Sequence, residues 1–221
     1  MVKIVSLIPA RGGSKRVPRK NIRLINNRPM IDYAIQASLY SKVDETYVST
    51  EDREIRDISI ECGARVIDRP KELALDNTPT ESVIDHFTEN VEYDVLVLIE
   101  PTYPLITKYD IDNSLDLFLS GNYDSFLTLS NKKLFLWETL DKGIARPVSY
   151  KPKTRLRTQD MRGVYVESGG IYIMKKEGYK KSGCRLYGDI GYYVLEHPSV
   201  DVDNEFDLKV AELILDVNLM R

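Results

Sequence analysis

Apolar and polar positions along the chain follow two alternating periods, which predict strands and helices in turn. Short apolar or alternating runs, typical of strands, occupy residues 2–8, 45–49, 64–68, 94–99 and 125–129. Apolar residues three and four positions apart predict helices over residues 29–39, 52–62, 80–90 and 107–120. Strands that alternate with helices at these spacings indicate an α/β fold built on a doubly wound, mostly parallel sheet.

This alternation stops over residues 131–166, which contain Trp137, Pro147 and Pro152 and no long helical period. Six basic and no acidic residues lie within the stretch 142–157. We interpret the segment as a small extended arm outside the main sheet. It is either a solvated excursion or a dimerisation arm that also presents positive charge.

Two further strands, over residues 169–174 and 190–195, and a closing helix over residues 204–217 are predicted after the arm. The apolar stripe predicted to pack this helix consists of Phe206, Val210, Leu213 and Val217. A chain of 221 residues, 43% of them hydrophobic, suffices for one domain spanning residues 1–221 with the arm inserted in it.

Composition narrows the possible chemistry. Two cysteines are too few for a disulfide framework, and two histidines exclude a histidine-rich metal site. We therefore interpret Cys62 and Cys184 as buried thiols of a cytoplasmic protein. No apolar run is long enough to cross a membrane, and Lys3 and Ser6 interrupt any signal-peptide core. Any metal must be held by carboxylates, which favours Mg²⁺, Mn²⁺ or Ca²⁺.

Charge is distributed unevenly along the chain. The net charge is −3, yet the first 31 residues carry eight basic side chains and no acidic one. Gly12 and Gly13 allow a tight turn that presents N–H groups to an anion. The neighbouring residues that can supply neutralising charge are Lys15, Arg16, Arg19 and Lys20.

Neither common phosphate-binding motif fits this loop. The glycine spacing is not that of a P-loop, and Pro18 interrupts the helix that a dinucleotide fingerprint needs. We interpret the loop as one that wraps a nucleoside triphosphate. A charged surface turn is the alternative, and it is disfavoured because eight uncompensated cations would repel one another.

Acidic and polar residues mark a second candidate site. In an extended segment, Asp201 and Asp203 lie on one face, where a carboxylate pair favours a divalent cation. Alternatively, Asp203 or Asn204 caps the following helix. Segments 69–74 and 100–105 follow strands at the edge where doubly wound sheets bind ligands, although either can simply end its strand.

Taken together, these segments resemble the acylneuraminate cytidylyltransferases, the CMP-sialic acid synthetases, over nearly the whole chain. The blocks that carry the resemblance are residues 8–21, 69–74, 100–105, 135–137, 157–160, 167–173 and 197–203. The resemblance implies a nucleotide-diphospho-sugar transferase, Rossmann-like fold and a homodimer. It also implies transfer of CMP from CTP to the anomeric hydroxyl of a 2-keto-3-deoxy sugar acid such as a nonulosonic acid, with release of pyrophosphate.

The resemblance also implies roles for individual residues. The nucleotide-binding set is Ala10, Arg11, Gly12, Gly13, Ser14, Lys15, Lys20, Asn21, Arg69 and Thr80, in which Asn21 holds the ribose, and Arg69 and Thr80 read the cytosine. The sugar-binding set is Glu100, Thr102, Tyr103, Arg157 and Gln159. Asp201 and Asp203 bind Mg²⁺, with Mn²⁺ as a substitute, and the catalytic set is Arg11, Lys20 and Asp203.

Departures from the family pattern fall on the sugar side. Glu100 stands in place of a glutamine, Thr158 in place of the second arginine of Arg-Arg-Gln-Asp, and Ser168-Gly-Gly170 in place of Asn-Gly-Ala. Tyr103 and Ile106 also depart from the pattern. The acceptor sugar is therefore left open by the resemblance, and Kdo, legionaminic acid and pseudaminic acid are activated by related enzymes.

Two other functions remain as alternatives. One is a nucleotidyltransferase with another acceptor, such as Kdo or a phosphonate. The other is a non-catalytic nucleotide- or RNA-binding module. The segment 11–28 contains no aromatic residue and the sequence pI is about 5.6, and both properties argue against a nucleic-acid partner.

Overall fold

The computed structural model describes residues 2–219, which form eleven strands and six α-helices. The strands are β1 (Ile4–Pro9), β2 (Leu24–Ile25), β3 (Arg28–Pro29), β4 (Glu45–Thr50), β5 (Arg65–Asp68), β6 (Val95–Ile99), β7 (Ser125–Lys132), β8 (Trp137–Thr139), β9 (Ala145–Pro147), β10 (Val164–Lys175) and β11 (Ile190–Val194). The helices are α1 (Met30–Leu39), α2 (Arg53–Glu61), α3 (Thr80–Asn90), α4 (Lys108–Ser120), α5 (Lys176–Ser182) and α6 (Glu205–Leu219).

Seven strands form one sheet in the order β11-β7-β10-β6-β1-β4-β5. All neighbouring pairs are parallel except the two made by β10, which runs antiparallel between β6 and β7. The prediction of a doubly wound, mostly parallel α/β sheet is confirmed. The carboxyl ends of β1, β4, β5 and β6 consequently lie along one edge, and their loops meet there.

Helices cover both faces of this sheet, so β6 is buried at every position. Its alternate side chains enter two separate cores: Val95, Val97 and Ile99 pack with α1, α2 and α4, whereas Leu96 and Leu98 pack with α3 and α5. This packing fixes the sheet between two helical layers and leaves its carboxyl edge accessible.

The closing helix packs through a face other than the one predicted. Phe206, Leu213 and Val217 are 73%, 65% and 52% exposed, and Val210 is half-buried. Instead, α6 packs through Leu208, Ala211 and Leu215 against a small cluster that includes Ile25 and Met30. Helical periodicity identified the helix, but a second apolar stripe on the same helix makes the contact.

The arm leaves the sheet between β7 and β10. Strand β7 ends at Lys132 and β10 begins at Val164, close to the limits 131–166 expected from the sequence. Strands β8 and β9 form an antiparallel hairpin within it. The large apolar side chains that the arm leaves exposed are Leu134, Leu136, Trp137, Ile144, Val148 and Leu156.

The two cysteines have different surroundings. Cys62 is half-buried, and burial raises the pKa of its thiol to about 12, but Cys184 is exposed. The interpretation of both cysteines as buried thiols is therefore wrong for Cys184, which lies in the loop after α5. Over residues 2–219, the structure contains no helix with the length and apolar character needed to cross a membrane.

Candidate active site

A cavity of about 470 Å³ opens at the carboxyl edge of the sheet, where the loops after β1, β5 and β6 meet. Its lining combines the basic loop with segments 69–80 and 100–102. The sequence-predicted residues that line it are Arg11, Ser14, Lys15, Lys20, Asn21, Arg69, Thr80, Glu100 and Thr102. Segments separated by up to 90 positions in the sequence thus form one site.

The basic loop begins at Ala10, which is buried and whose N–H donates to the Ser49 carbonyl at 2.9 Å. A Cβ on Gly12 would lie 2.5 Å from Oδ2 of Asp52, so this position has room only for glycine. The Gly12 N–H donates to Oε1 of Glu51 at 2.7 Å. This N–H is therefore engaged by an internal carboxylate, whereas the sequence predicts that it faces the phosphate oxygens of a ligand.

Left-handed backbone occurs in this loop at a residue other than the glycines. Arg19 has φ 58°, and the 3₁₀ turn Lys20–Ile22 follows it directly. The Arg19 guanidinium donates to both carboxylate oxygens of Asp52 at 2.5 and 2.9 Å. Arg19 is consequently turned toward the start of α2, and it is not among the residues that line the cavity.

Each of the eight cations in the first 31 residues has a carboxylate partner. The pairs are Lys3–Glu45, Arg11–Asp76, Lys15–Asp76, Arg16–Asp203, Arg19–Asp52, Lys20–Asp203, Arg23–Glu205 and Arg28–Asp32. The inference that these cations are uncompensated is therefore wrong. Asp32 follows Arg28 by four residues and the other acids come from later segments, so a count over the first 31 residues includes none of them.

Asp76 holds two of the cations that line the cavity. Its Oδ1 lies 3.0 Å from Nη1 of Arg11, and its other oxygen contacts the Lys15 ammonium. Hydrogen bonding from Lys15 is the main cause that lowers the pKa of Asp76. The carboxylate is 45% exposed and Lys15 is 79% exposed, so water reaches both.

Asp203 pairs with two further cations of the basic loop, Arg16 and Lys20. Its Oδ2 lies 3.0 Å from Nη1 of Arg16, and its Oδ1 lies 3.3 Å from Nζ of Lys20. Lys20 also donates to the Val202 carbonyl at 2.8 Å. The Val202 N–H in turn donates to the Thr102 carbonyl at 2.9 Å, which ties this segment to the loop after β6.

The segment around Asp201 and Asp203 has the form that the sequence predicts. Val202 is fully buried between the two aspartates, which places their carboxylates on the outer side of an extended segment. Asn204 caps α6, because its Oδ1 accepts from the N–H groups of Phe206 and Asp207 at 2.9 and 3.1 Å. Asp203 is thereby left available for other partners.

A metal at this segment would need ligands besides protein. Within residues 2–219, no group of three His, Cys, Asp or Glu side chains is close enough to bind an ion. Mg²⁺ is commonly held by one or two carboxylates together with water and substrate phosphates. The hard oxygen donors of Asp201 and Asp203 fit that manner of binding.

Among the described residues that line the cavity, two buried polar atoms have no hydrogen-bond partner. Arg69 is buried, and its Nη2 lies 3.3 Å from Oε2 of Glu51, but its Nε has no hydrogen-bond partner. Burial lowers the pKa of Arg69. Asn21 donates through Nδ2 to the Arg11 carbonyl at 3.0 Å, and its Oδ1 has no partner.

Glu100 marks the other side of the cavity. Its N–H donates to the Gly170 carbonyl at 3.0 Å, which fixes the residue at the end of β6. Burial raises the pKa of its carboxyl to about 7; Arg185 opposes this shift and Asp201 adds to it. The side chain keeps 22% exposure toward the cavity, so water limits the effect of burial.

The sequence departures near Glu100 pack against one another. Gly169 has φ +79°, and a Cβ there would lie 2.3 Å from the Tyr103 hydroxyl. A Cβ on Gly170 would lie 2.9 Å from Cδ1 of Ile106. Gly169, which the family pattern shares, and Gly170, which stands in place of its alanine, therefore make room for the two larger side chains.

Three predicted sugar-binding residues, Tyr103, Arg157 and Gln159, are not among the residues that line this cavity in the single chain. Arg157 donates to Asp160 at 2.6 and 3.3 Å, and both it and Gln159 are exposed on the arm. Conversely, Arg185 lies beside Glu100, although the sequence predicted no role for this arginine. No motif or spacing singled it out, because it occurs in an irregular loop after α5.

Known proteins of similar sequence share one activity in their names. A family model described as cytidylyltransferase matches residues 5–198. The chain is 33% identical to N-acylneuraminate cytidylyltransferase A of Danio rerio, over 95% of this chain and 50% of that protein. It is 29% identical to the pseudaminic acid cytidylyltransferase of Campylobacter jejuni, over 98% of both chains.

The fold has a counterpart among solved structures. A CMP:2-keto-3-deoxy-manno-octonic acid synthetase complexed with CTP superposes with a TM-score of 0.73 at 18% identity, covering 98% of this chain and 99% of that chain. The chain spans about half the length of several curated relatives, including the one from Danio rerio. The match to the family model extends over most of its length, and the chain belongs to the cytidylyltransferase family.

Proposed function

We propose that this protein transfers CMP from CTP to the anomeric hydroxyl of a nonulosonic acid and releases pyrophosphate. The observation that carries the proposal is the convergence of Arg11, Lys15, Lys20 and Arg69 around one cavity, with Asp203 paired to Lys20. The names of the relatives, which include N-acylneuraminate and pseudaminic acid cytidylyltransferases, support the same reaction.

The nucleotide occupies the half of the cavity nearest the basic loop. Arg11, Lys15 and Lys20 bind the phosphates, exchanging their present carboxylate partners for phosphate oxygens. The unpartnered Oδ1 of Asn21 accepts from a ribose hydroxyl, and the unpartnered Nε of Arg69 donates to the cytosine with Thr80 nearby. Each contact satisfies a buried polar atom that otherwise costs free energy.

The acceptor lies on the Glu100 side, next to Thr102 and Tyr103. Its anomeric hydroxyl attacks the α-phosphorus in line and gives up its proton to water, a new P–O bond forms, and the bond to the bridging oxygen of the β-phosphate breaks. Arg11, Lys15 and Lys20 stabilise the negative charge that develops on the leaving pyrophosphate. Asp201 and Asp203 would hold Mg²⁺ or Mn²⁺, which supplies charge neutralisation at the phosphates and acidifies the attacking hydroxyl.

The acceptor's own carboxylate also needs a cation, and the cations that act on Glu100, which are Lys20, Arg69 and Arg185, are each paired with a carboxylate. The arm carries Lys142, Arg155 and Arg157, all exposed. In a homodimer that pairs through the arms, these side chains and Gln159 reach the acceptor bound to the partner subunit. The exposed apolar residues of the arm, such as Trp137, fit a surface that a second copy covers.

The test is pyrophosphate release from CTP and Mg²⁺ with a panel of N-acetylneuraminate, Kdn, Kdo, legionaminate and pseudaminate. We expect release with CTP and one or a few nonulosonic acids, and none with CTP alone. Release with Kdo only would favour the alternative acceptor. A chain that does not bind CTP at all would contradict the proposal.

A substitution pair makes the test specific to the site. Asp203→Asn is expected to lower kcat by about a hundredfold or more, because a carboxylate that holds the metal is lost. Asp57→Asn on α2, which is exposed and outside the cavity, serves as the matched control. Near-normal turnover by Asp203→Asn would remove Asp203 from the proposed machinery.

A further inference from the structure

Arg185 connects three elements next to the acceptor side of the cavity. Its Nε and Nη2 donate to the two carboxylate oxygens of Glu81, in the first turn of α3, at 2.9 and 3.4 Å. Its Nη1 lies 3.9 Å from Oε1 of Glu100, at the end of β6. Its guanidinium carbon lies 5.1 Å from the ring centre of Tyr172 on β10. One side chain thus links α3, β6 and β10.

The three charged groups are all largely shielded from water. The side chains of Arg185, Glu81 and Glu100 are 23%, 26% and 22% exposed. Charges removed from water to this extent need partners. Arg185 donates two hydrogen bonds to Glu81, whereas its contact with Glu100 at 3.9 Å is an ion pair without a hydrogen bond. Of the three, only Glu100 lines the cavity, so Arg185 and Glu81 support it from outside the cavity wall.

We propose that Arg185, anchored by Glu81, is a positioning residue that holds the Glu100 carboxylate toward the acceptor and thereby sets which sugar acid is accepted. The proposal rests on the cytidylyltransferase function proposed above. Arg185 opposes the rise in the pKa of Glu100 that burial causes and so favours the ionised carboxylate, which only accepts hydrogen bonds. To that form the acceptor must present a hydroxyl, amide N–H or ammonium group. The ionised Glu100 also repels the carboxylate of the acceptor, which must therefore face the opposite way.

The site therefore takes a nonulosonic acid that offers a hydrogen-bond donor at this contact. A sugar acid that carries only an acceptor atom there leaves Glu100 desolvated and unpaired, which selects strongly against it. Arg185 contributes without contacting the substrate. It offsets the negative charge that Asp201 places near Glu100, an effect to which Lys20 and Arg69 add.

The test is a double-substitution cycle on the acceptor's Michaelis constant. Arg185→Met is expected to raise KM for the accepted sugar acid about tenfold and to leave KM for CTP unchanged. The rise is the effect of losing the hydrogen bond from the acceptor to Glu100 when the carboxylate is no longer held in place. Arg185→Lys keeps the charge and should recover part of the loss. In a Glu100→Gln background, Arg185→Met should change the acceptor KM less than about twofold, because its target is already gone.

Controls separate this proposal from the function on which it rests. If the unsubstituted protein binds CTP but releases no pyrophosphate with any sugar acid, the proposed function fails before Arg185 is tested. Arg53→Met, an exposed arginine of α2, is the matched control and should leave both constants unchanged. If Arg185→Met does not fold, Glu81→Gln replaces it and should raise the same KM.

Two results would overturn the proposal. One is an equal rise in the KM values for CTP and for the sugar acid, which would indicate a general disturbance of the cavity. The other is an equal effect of Arg185→Met with and without Glu100→Gln, because the two residues would then act independently.

Discussion

At the scale of residues, the cavity is defined by cations that already have partners. Asp76 bridges Arg11 and Lys15, and Asp203 bridges Arg16 and Lys20. Ion pairs that are partly open to water contribute little stability. The two carboxylates therefore hold the cationic side chains in place while remaining easy to displace by phosphate.

Asp76 can be tested directly as a competitor of the nucleotide phosphates for Arg11 and Lys15. Asp76→Asn removes the negative charge that occupies Arg11 and Lys15, and we expect it to tighten CTP binding about two- to fivefold. Isothermal titration of CTP measures this. Asp57→Asn should leave the affinity unchanged, and weaker binding by Asp76→Asn would identify Asp76 as part of the nucleotide site.

The residue scale also shows the limit of sequence reasoning. The lining positions Arg11, Lys20 and Arg69 could be predicted because they belong to contiguous blocks with a recognisable order. Their ion pairs could not: Asp76 lies outside every recognised block, and Asp203, although predicted as a metal ligand, gave no sign of its contact with Lys20, which the fold sets. Arg185 was missed for the same reason, as it acquires meaning only beside Glu100.

At the scale of elements, one contact joins the start of α4 to the segment before Asp201. Nε2 of His197 lies 2.8 Å from Oδ2 of Asp110, and Nδ1 lies 2.9 Å from the Pro198 carbonyl. Asp110 is buried and also completes the capping box with Thr107. Hydrogen bonding to Asp110 raises the pKa of His197, and hydrogen bonds from His197 and Thr107 lower the pKa of Asp110 against the effect of burial.

The sign of these shifts predicts a pH-dependent stability. Because the pKa of His197 is raised on folding, its contribution is complete below its unfolded pKa of about 6.5 and is lost as pH rises through the folded value. His197→Gln should therefore lower the free energy of unfolding by about 1–2 kcal/mol at pH 5.5 and by less at pH 9. Urea unfolding at the two pH values measures the difference, and equal losses at both would contradict the ionic contribution.

Periodicity predicted the strands and helices of the sheet well, because each buries a face against a neighbour next to it in the fold. It failed for α6, where Phe206 and Leu213 are exposed and Leu208 and Ala211 are buried. The sequence contains both stripes. The partner that selects between them, the small cluster around Ile25 and Met30, is assembled from residues about 180 positions away.

At the scale of the whole molecule, the arm is the part that a single chain leaves unexplained. Trp137 is 50% exposed beside other apolar side chains, and Arg157 lies on the same arm, where it pairs only with Asp160 in the described chain. Both observations are accounted for if a second copy covers the arm. Their sequence signal was a change in composition, which indicated an excursion but not its geometry.

Trp137→Asp places a charge in the expected interface, and we expect it to convert a dimer into a monomer in analytical ultracentrifugation. The monomer should keep its affinity for CTP. Its KM for the sugar acid should rise about tenfold, as should that of Arg157→Ala, because one charged contact is lost. A monomeric unsubstituted protein, or an equal rise in the KM for CTP, would contradict the role of the arm.

In the proposed reaction, the carboxylates that hold the cations of the basic loop also bear on how a catalytic cycle ends. When pyrophosphate dissociates in that reaction, Arg11, Lys15 and Lys20 need not return to bare water, because Asp76 and Asp203 lie within 3.3 Å of them. The departing product is replaced by internal anions that are already in position. This favours rapid product release, and a loop with this many cations can bind a highly charged product without retaining it.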